Sequence, residues 1–439
     1  MKKMVKLSLA SMLTLSATGS LAAGFQLVEI STSGLGVAYA GNAAVAENAS
    51  VVATNPALMT QFKGSEISVG GVYVDVDVDV SGTQTITTPM GAMSEDASHN
   101  NIVPVATLPN LYFVMPINDR FSIGGGMNLN YGLKTSFGEN YSAGVLGGTT
   151  DLRAVNYNFS GAMKLDYGFS VGLGLNAVHS TAELTRYAGS FSQLINQQAG
   201  AGAGAGANIA NKSTKVKHLK GEEWTFAWNA GVSYDINENH RIGLAYHSAV
   251  DIGFKGDFSS ELPIRAGGTG GQDIAGSLDL TLPAFWELSG YHKLTDKLAL
   301  QYSWKRTDWS SFKELRAVSN TGAELLQKTE EFSDSDRYAI GISYQAMDKL
   351  TLRAGLAYDE GASQEHPSIS IPDTDRTWYS LGATYQFTPN LSTDFGYSYI
   401  HGHKNRFVEN ENISGVPVSW KGEGHSHVNL WGLNVNYKF

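Results

Sequence analysis

The last nine residues of the chain, Trp431 through Phe439, alternate large apolar side chains with small or polar ones up to a terminal aromatic. Successive strand residues point to opposite faces, so Trp431, Leu433, Val435, Tyr437 and Phe439 share one face while Gly432, Asn434, Asn436 and Lys438 share the other. Such a strand suits a barrel wall between lipid and water, or the half-buried edge of a soluble sandwich. The other end of the chain separates these readings. Lys2, Lys3 and Lys6 precede an apolar stretch around 7–15, and Ser20-Leu21-Ala22 forms a small-x-small cleavage signal. Residues 1–22 are therefore expected to be a secretory signal peptide, with the mature chain starting at Ala23. Serines and threonines interrupt the stretch too often for a permanent anchor, which needs roughly 20 strongly apolar residues. No later run is long and apolar enough for a membrane helix, so any crossing falls to strands.

Composition agrees with a wall that is wet on one side. Mean hydropathy is −0.16 with 42% hydrophobic residues, as expected where every second residue meets water. Twenty Tyr and eight Trp are available for interfacial girdles. The net charge of −10 becomes more negative once Lys2, Lys3 and Lys6 are removed, which argues against a nucleic-acid partner. The absence of Cys excludes disulfides and thiolate metal sites.

Alternation recurs along the chain with short and long connections taking turns. The short ones are hairpins at Asn118-Asp119, Asp166-Tyr167-Gly168, Asn237-Glu238-Asn239, Thr295-Asp296-Lys297, Met347-Asp348-Lys349 and Thr388-Pro389-Asn390. The runs between them predict an all-β fold, a transmembrane antiparallel barrel of about fourteen strands over 65–439. Short turns and the C-terminus then lie on the periplasmic side. The extracellular loops are expected at roughly 81–108, 135–152, 183–222, 255–276, 308–335, 360–376 and 403–426. The Ala-Gly repeat at 199–207 reads as a flexible loop tip. Ile67 and Val69 carry the opposite parity to Val72 through Val80, which predicts a bulge near Gly70-Gly71. Gly124-Gly125-Gly126, in the third strand, either clear interior bulk or bend that strand and open the wall.

Residues 23–64 lack sustained alternation and are rich in small residues, with helix-compatible pieces near 34–40 and 43–49. A barrel of this width is not filled by wall side chains, so the segment is expected to plug it. Gly24-Phe25-Gln26-Leu27, Ser33-Gly34-Leu35-Gly36, Ala38-Tyr39-Ala40-Gly41 and above all Asn55-Pro56-Ala57-Leu58 resemble the N-terminal hatch of the FadL family of outer-membrane long-chain fatty acid transporters. The likeness continues through Pro109-Asn110, Pro116-Ile117-Asn118-Asp119, Asn130-Tyr131-Gly132-Leu133, 147–152 and 368–373 to Phe439, covering essentially the whole mature chain.

The resemblance implies passive uptake of a long-chain fatty acid through a plugged barrel. A ligand lands at an extracellular groove, enters an interior pocket and leaves sideways, at a third-strand kink, into outer-membrane lipid. The kink would fall at Asn130, Tyr131 and Gly132. Arg186 and Arg316 match positions where the family places basic residues beside the headgroup; the second is Lys in the best-known relatives, and Arg alters its geometry. Without the family, each Arg reads as a solvated rim charge. Phe25 resembles a hatch aromatic that reaches the pocket, and simple plug packing would explain it equally. Asn55, Pro56 and Ala57 would form the gating turn: Pro56 fixes its own φ and biases Asn55 away from helix, whether the turn moves or not.

Two transport alternatives stay open at this point: a related uptake channel for aromatic hydrocarbons, which needs no cationic headgroup site, and a general diffusion porin, which needs no plug. An enzyme is not expected, since no nucleophile motif is evident. His401, His403, His425 and His427 read as solvated loop residues rather than metal ligands, so neither metal nor cofactor is expected. A plugged barrel completes its pathway within one chain, and a monomer in the outer membrane is expected.

Overall fold

The computed structural model describes residues 24–203 and 208–439. The expected signal peptide at 1–22, Ala23 and part of the Ala-Gly repeat, 204–207, lie outside the described residues. Fourteen antiparallel strands close a barrel. In chain order they are β1 (Glu66–Thr88), β2 (Ala106–Pro116), β3 (Phe121–Ser136), β4 (Gly148–Lys164), β5 (Phe169–Tyr187), β6 (Lys215–Asn237) and β7 (His240–His247 and Val250–Ser259). Then follow β8 (Ile274–Leu282 and Phe285–Lys293), β9 (Leu298–Thr307 and Glu314–Ser319), β10 (Glu324–Thr329 and Ser335–Met347), β11 (Leu350–Asp359), β12 (Arg376–Thr388), β13 (Leu391–Ile413) and β14 (Val416–Lys438). The first strand pairs with the last from Glu66↔Lys438 to Ile86↔Val418, which closes the wall and leaves no sheet edge there.

The terminal alternation has the predicted meaning. Trp431, Leu433, Val435 and Tyr437 are exposed on the outer face, whereas Asn434 and Asn436 are buried in the lumen. There Asn434 Oδ1 accepts from Thr32 Oγ1 at 3.1 Å, and Asn436 Nδ2 donates to Asp394 at 2.8 Å. Outward rings meet across strands, as in Tyr397–Trp431 at 4.4 Å and Phe169–Tyr234 at 4.5 Å. Such pairs belong to the aromatic belts of a membrane barrel.

Three expectations need correction. No bulge occurs at Gly70-Gly71: β1 keeps one register with β14 and with β2 through that point. The parity change has another cause. Ile67, Val69 and Tyr73 face outward, while Val72 through Val80 face the lumen, with Asp75, Asp77 and Asp79 on the outside. The apolar face moves from lipid to lumen as the strand rises past the membrane. Second, 403–426 is largely strand, because β13 and β14 extend to a tight turn at Ser414-Gly415. His401, His403, His425 and His427 therefore sit on strands, and among the described residues no His/Asp/Glu group could hold a metal. Third, the Ala-Gly repeat is helical as far as Ala203, within α3 (Ser192–Ala203).

Residues 24–64 run through the lumen. They form two single-turn helices, α1 (Thr32–Leu35) and α2 (Val51–Thr54), and a 3-10 turn, Pro56–Gln61. α1 packs on β12, β13 and β14, and the 3-10 turn packs on β4, β5 and β6. Inward glycines make room for this close approach. A Cβ on Gly355 of β11 would lie 2.2 Å from the Val37 carbonyl carbon. Ionic and polar ties hold the segment to the wall: Arg353 to Glu47 at 2.9 Å, Arg337 to the Ala38 carbonyl at 2.9 Å and Arg241 to Gln61 at 2.6 Å.

Candidate functional site

The site begins where β3 loses its neighbour. β2 and β3 pair from Pro116↔Ser122 to Leu111↔Met127, and beyond that point β3 continues without β2. The β3–β4 register shifts between Leu129 and Tyr131, so Asn130 is the extra residue. The free edge of β3 is satisfied instead by the N-terminal segment: Leu27 N donates to Asn130 O at 2.8 Å, and Gly132 N to Phe25 O at 3.0 Å. Unpaired backbone polar groups are costly in hydrocarbon, and these two bonds pair groups of β3 that have no ladder partner on β2.

The residues around the break are polar. Asn128 bonds Asn130, and Asn156 donates to Asn128 at 3.3 Å. Asn110 on β2 is buried with neither amide atom partnered. Gly124, Gly125 and Gly126 lie in the paired part of β3, below the break. They clear bulk there, since a Cβ at Gly126 would sit 2.3 Å from the Tyr112 ring.

Phe25, the first of these N-terminal residues, forms the floor of an apolar pocket. Phe25 is fully buried and packs edge-on against Trp309 at 4.7 Å, Phe312 at 5.4 Å and Tyr131 at 6.4 Å. Tyr131 Oη donates to the Pro283 carbonyl at 2.6 Å, which fixes that ring. Above Phe25 opens an apolar pocket, lined among others by Leu133, Leu152, Phe254, Leu280, Phe312 and Ile371 and partly open to solvent. Its lining suits a hydrophobic ligand.

Arg186 lies on the same inward face of β5 as the pocket residues Ala182 and Leu184, one rung further up. It is buried and does not itself line the pocket. Its guanidinium donates to Thr150 Oγ1 at 3.3 Å, to Thr149 O at 3.3 Å, to Thr185 O at 3.1 Å and to Ser370 Oγ at 2.8 Å. Thr150 lines the pocket, so the cation stands directly behind its upper wall. Arg316 is placed differently. Leu315 and Ala317 line the pocket, while Arg316, between them, is half exposed and pairs with Glu324 at 3.7 Å. The two arginines are not brought together.

The Asn55-Pro56-Ala57 turn is buried and fully bonded. Asn55 Oδ1 accepts from Ala57 N at 3.0 Å, and its Nδ2 donates to Ala43 O at 2.7 Å and to Val232 O of β6 at 3.1 Å. Pro56 opens the 3-10 turn, where a missing N–H costs nothing. Sequence reasoning missed Trp309 and Phe312, which fall in a stretch read as extracellular loop. Two large aromatics there were the available signal, because a solvated loop tip has little use for them.

A closed outer-membrane barrel filled by its own N-terminal segment, with an apolar pocket above Phe25, is built to pass hydrophobic compounds rather than a stream of water. Comparison with known proteins narrows this class. The profile of the outer membrane protein transport family (OMPP1/FadL/TodX) matches residues 13–439, and the chain belongs to that family. It is 52% identical over 446 residues to the 47 kDa outer membrane protein of Pasteurella multocida, covering 100% of this chain and 99% of the relative. It is 42% identical over 454 residues to the long-chain fatty acid transport protein of Escherichia coli K12, covering 99% and 98%. In fold it resembles a Pseudomonas aeruginosa FadL homologue with TM-score 0.84 at 24% identity, covering 95% of this chain and 100% of that one. The Ralstonia pickettii toluene transporter shares the architecture with TM-score 0.62 at 21% identity, covering 92% and 98%. The chain is an outer-membrane transporter of hydrophobic compounds, not an enzyme.

Proposed function

We propose that this transporter carries long-chain fatty acids, with the acyl tail in the pocket above Phe25 and the carboxylate at the Arg186 end. The observation that carries the reading is the pairing of an apolar slot with a buried guanidinium behind Thr150 at one end of it. A small rotation of Thr150 would expose the guanidinium to an incoming carboxylate, and a fork of N–H donors suits that group. The name of the E. coli relative supports the same substrate class. Arg316 acts at most as a rim charge that attracts the acid before it lands.

Release follows from the shared position of Phe25 and β3. When residues 25–27 withdraw, the floor of the pocket and the seal on the β3 edge open together, so the ligand leaves sideways between β2 and β3 into outer-membrane lipid. Residues 23–64 thus act as a hatch with the Asn55-Pro56-Ala57 turn as its fixed end, and residues 65–439 act as the wall. The whole route lies in one chain, so the working unit is a monomer.

Calorimetric titration of the purified protein with oleate and with toluene tests the substrate class. Saturable oleate binding that Arg186→Ala weakens by about 2 kcal/mol, the cost of removing a charge-assisted partner, supports the reading. Arg316→Ala should change affinity by less than about 1 kcal/mol, as for an exposed pair. Binding of toluene but not oleate would move the assignment to aromatic hydrocarbons. Free passage of sugars in liposome swelling would make the protein a porin.

A further inference from the structure

The wall has a second break, on the side of the pocket away from β3. β6 and β7 pair from Asn237↔His240 up to Asn229↔His247, and again from Glu222↔Lys255 up to His218↔Ser259. Between these blocks Glu223–Ala227 and Ala249–Phe254 make no ladder pairs with each other, although Glu223–Ala227 pair with β5 and Val250–Phe254 with β8. One backbone bond, Ser248 N to Trp228 O at 2.9 Å, closes the lower end, and the register is offset by one residue across the gap. Side chains replace part of the ladder. Trp228 N donates to Ser248 Oγ at 3.0 Å, Thr225 Oγ1 donates to Asp251 O at 3.0 Å, and Trp224 N donates to Glu223 Oε1 at 3.1 Å. Trp228 faces Tyr246 at 5.2 Å and Trp224 faces Tyr157 at 5.8 Å, which places the break at the level of an interfacial aromatic belt.

The inner side of the break joins the packing around the pocket, which Phe254 itself lines. Ala227, Val250, Ile252 and Phe254 join the apolar cluster that contains Phe25 and Phe312. Just above, Gly221 pairs with Gly256 and both line the pocket, so backbone alone separates it from the exterior. On the outer side Phe226 is 83% exposed. Beside it Gly253 leaves a notch: the nearest atom to a Cβ built there would be Asp279 Oδ1, at 3.5 Å. Lys255, 85% exposed, stands over the same opening, with the Glu223 carboxylate 4.0 Å from its ammonium.

We propose that this break is a side port through which a single-chain amphiphile already dissolved in the outer leaflet enters the pocket directly. Such a molecule holds its polar head at the interface and its tail below, which matches a cation at Lys255 above an aromatic edge at Phe226 and a notch at Gly253. The port depends on hydrophobic transport and deepens the fatty-acid reading without requiring it.

The chain has no Cys, so a paired substitution can staple the gap cleanly. In Phe226→Cys/Asp251→Cys, both thiols lie on the outer face, away from the pocket. The protein is reconstituted in vesicles whose outer leaflet is preloaded with a radiolabelled fatty acid, and pocket loading is followed as label that stays with protein captured at timed intervals. Oxidation should abolish most of the loading rate from the leaflet, reductant should restore it, and affinity in detergent should stay equal for the two redox forms. Complete oxidation with an unchanged rate overturns the port. Gly253→Trp fills the notch without a crosslink and should slow the same step; wild-type loading in this variant also overturns it. A protein that binds no fatty acid in detergent sinks the substrate reading instead, and the same rates are then read with leaflet-dissolved toluene.

Discussion

The seam between β14 and β1 and the seam between β2 and β3 lie close together in one wall, yet they are built to opposite ends. The first keeps every register pair from Glu66↔Lys438 to Ile86↔Val418. The second stops at Leu111↔Met127 and hands the rest of β3 to Phe25 and Leu27. Glycine content does not separate them, because β1 carries Gly70-Gly71 inside its intact ladder and the three β3 glycines are themselves paired. The distinction is the partner. A ladder between two barrel strands opens only if the barrel does, whereas a ladder to a terminal segment opens when a few residues leave.

The largest expected effect comes from making the weak seam permanent. Gln26 and Tyr131 are bridge partners, so Gln26→Cys/Tyr131→Cys should form a disulfide that ties the N-terminal segment to β3. Oxidised protein should lose fatty-acid uptake in cells and recover it with reductant. Undiminished uptake by fully oxidised protein would show that the β2–β3 seam is not the exit.

Next in size is the electrostatic cost of seating the hatch. Glu29 is buried in the lumen, and its carboxyl is pushed up to about 7 by burial, an effect that the Arg337 cation offsets and the Asp359 carboxylate reinforces. A released hatch would give Glu29 back to water with an ordinary value near 4.5. Between those values the seated form holds more protons than the released form. Seating is therefore favoured below the lower value and weakens as pH climbs through the upper one. Glu29→Gln cannot ionise, so its hatch should be no firmer than wild type near pH 4 and firmer by up to about 3 kcal/mol near pH 8. Hydrogen exchange over residues 24–40 reads that difference, and an equal pH slope in both proteins would dismiss it.

The strong seam can be weakened without touching the weak one. A side chain at Gly70 would place its Cβ 1.8 Å from Asn434 Oδ1 and 2.3 Å from the Leu433 carbonyl. Gly70→Val should lower thermal stability by about 2 kcal/mol, as overpacking does, and leave fatty-acid release unchanged. Faster release in this variant would mean that the two seams are coupled.

The two seams also mark what was legible in the sequence. The barrel and its strand number were readable, since alternation and turn residues are local signals; the register shift between Leu129 and Tyr131 falls where the family likeness puts a kink, and its use as an exit is part of the proposal. The β1 parity change was misread as a bulge, because a strand that leaves lipid exchanges which face is apolar without altering its backbone. Phe25 was read as a pocket residue, but its carbonyl bond to Gly132 joins positions more than a hundred residues apart, and no periodicity carries that. Arg186 and Arg316 looked equivalent in one dimension. Neighbours on the sheet place one behind the pocket and the other at the rim.

The smallest effect concerns the far end of the hatch. Asn55 ties the 3-10 turn to Val232 of β6 and to Ala43, on the opposite side of the lumen segment from the β3 seal. Asn55→Ala removes a cap and two buried bonds, and should cost about 1–2 kcal/mol in thermal stability. If only residues 25–27 fray from β3, release rates should remain those of the parent protein, because the bonds lost lie outside the moving part. Release accelerated in step with the lost stability would show that the hatch leaves as one body. The weak seam would then be governed from β6, not from the two hydrogen bonds that close it.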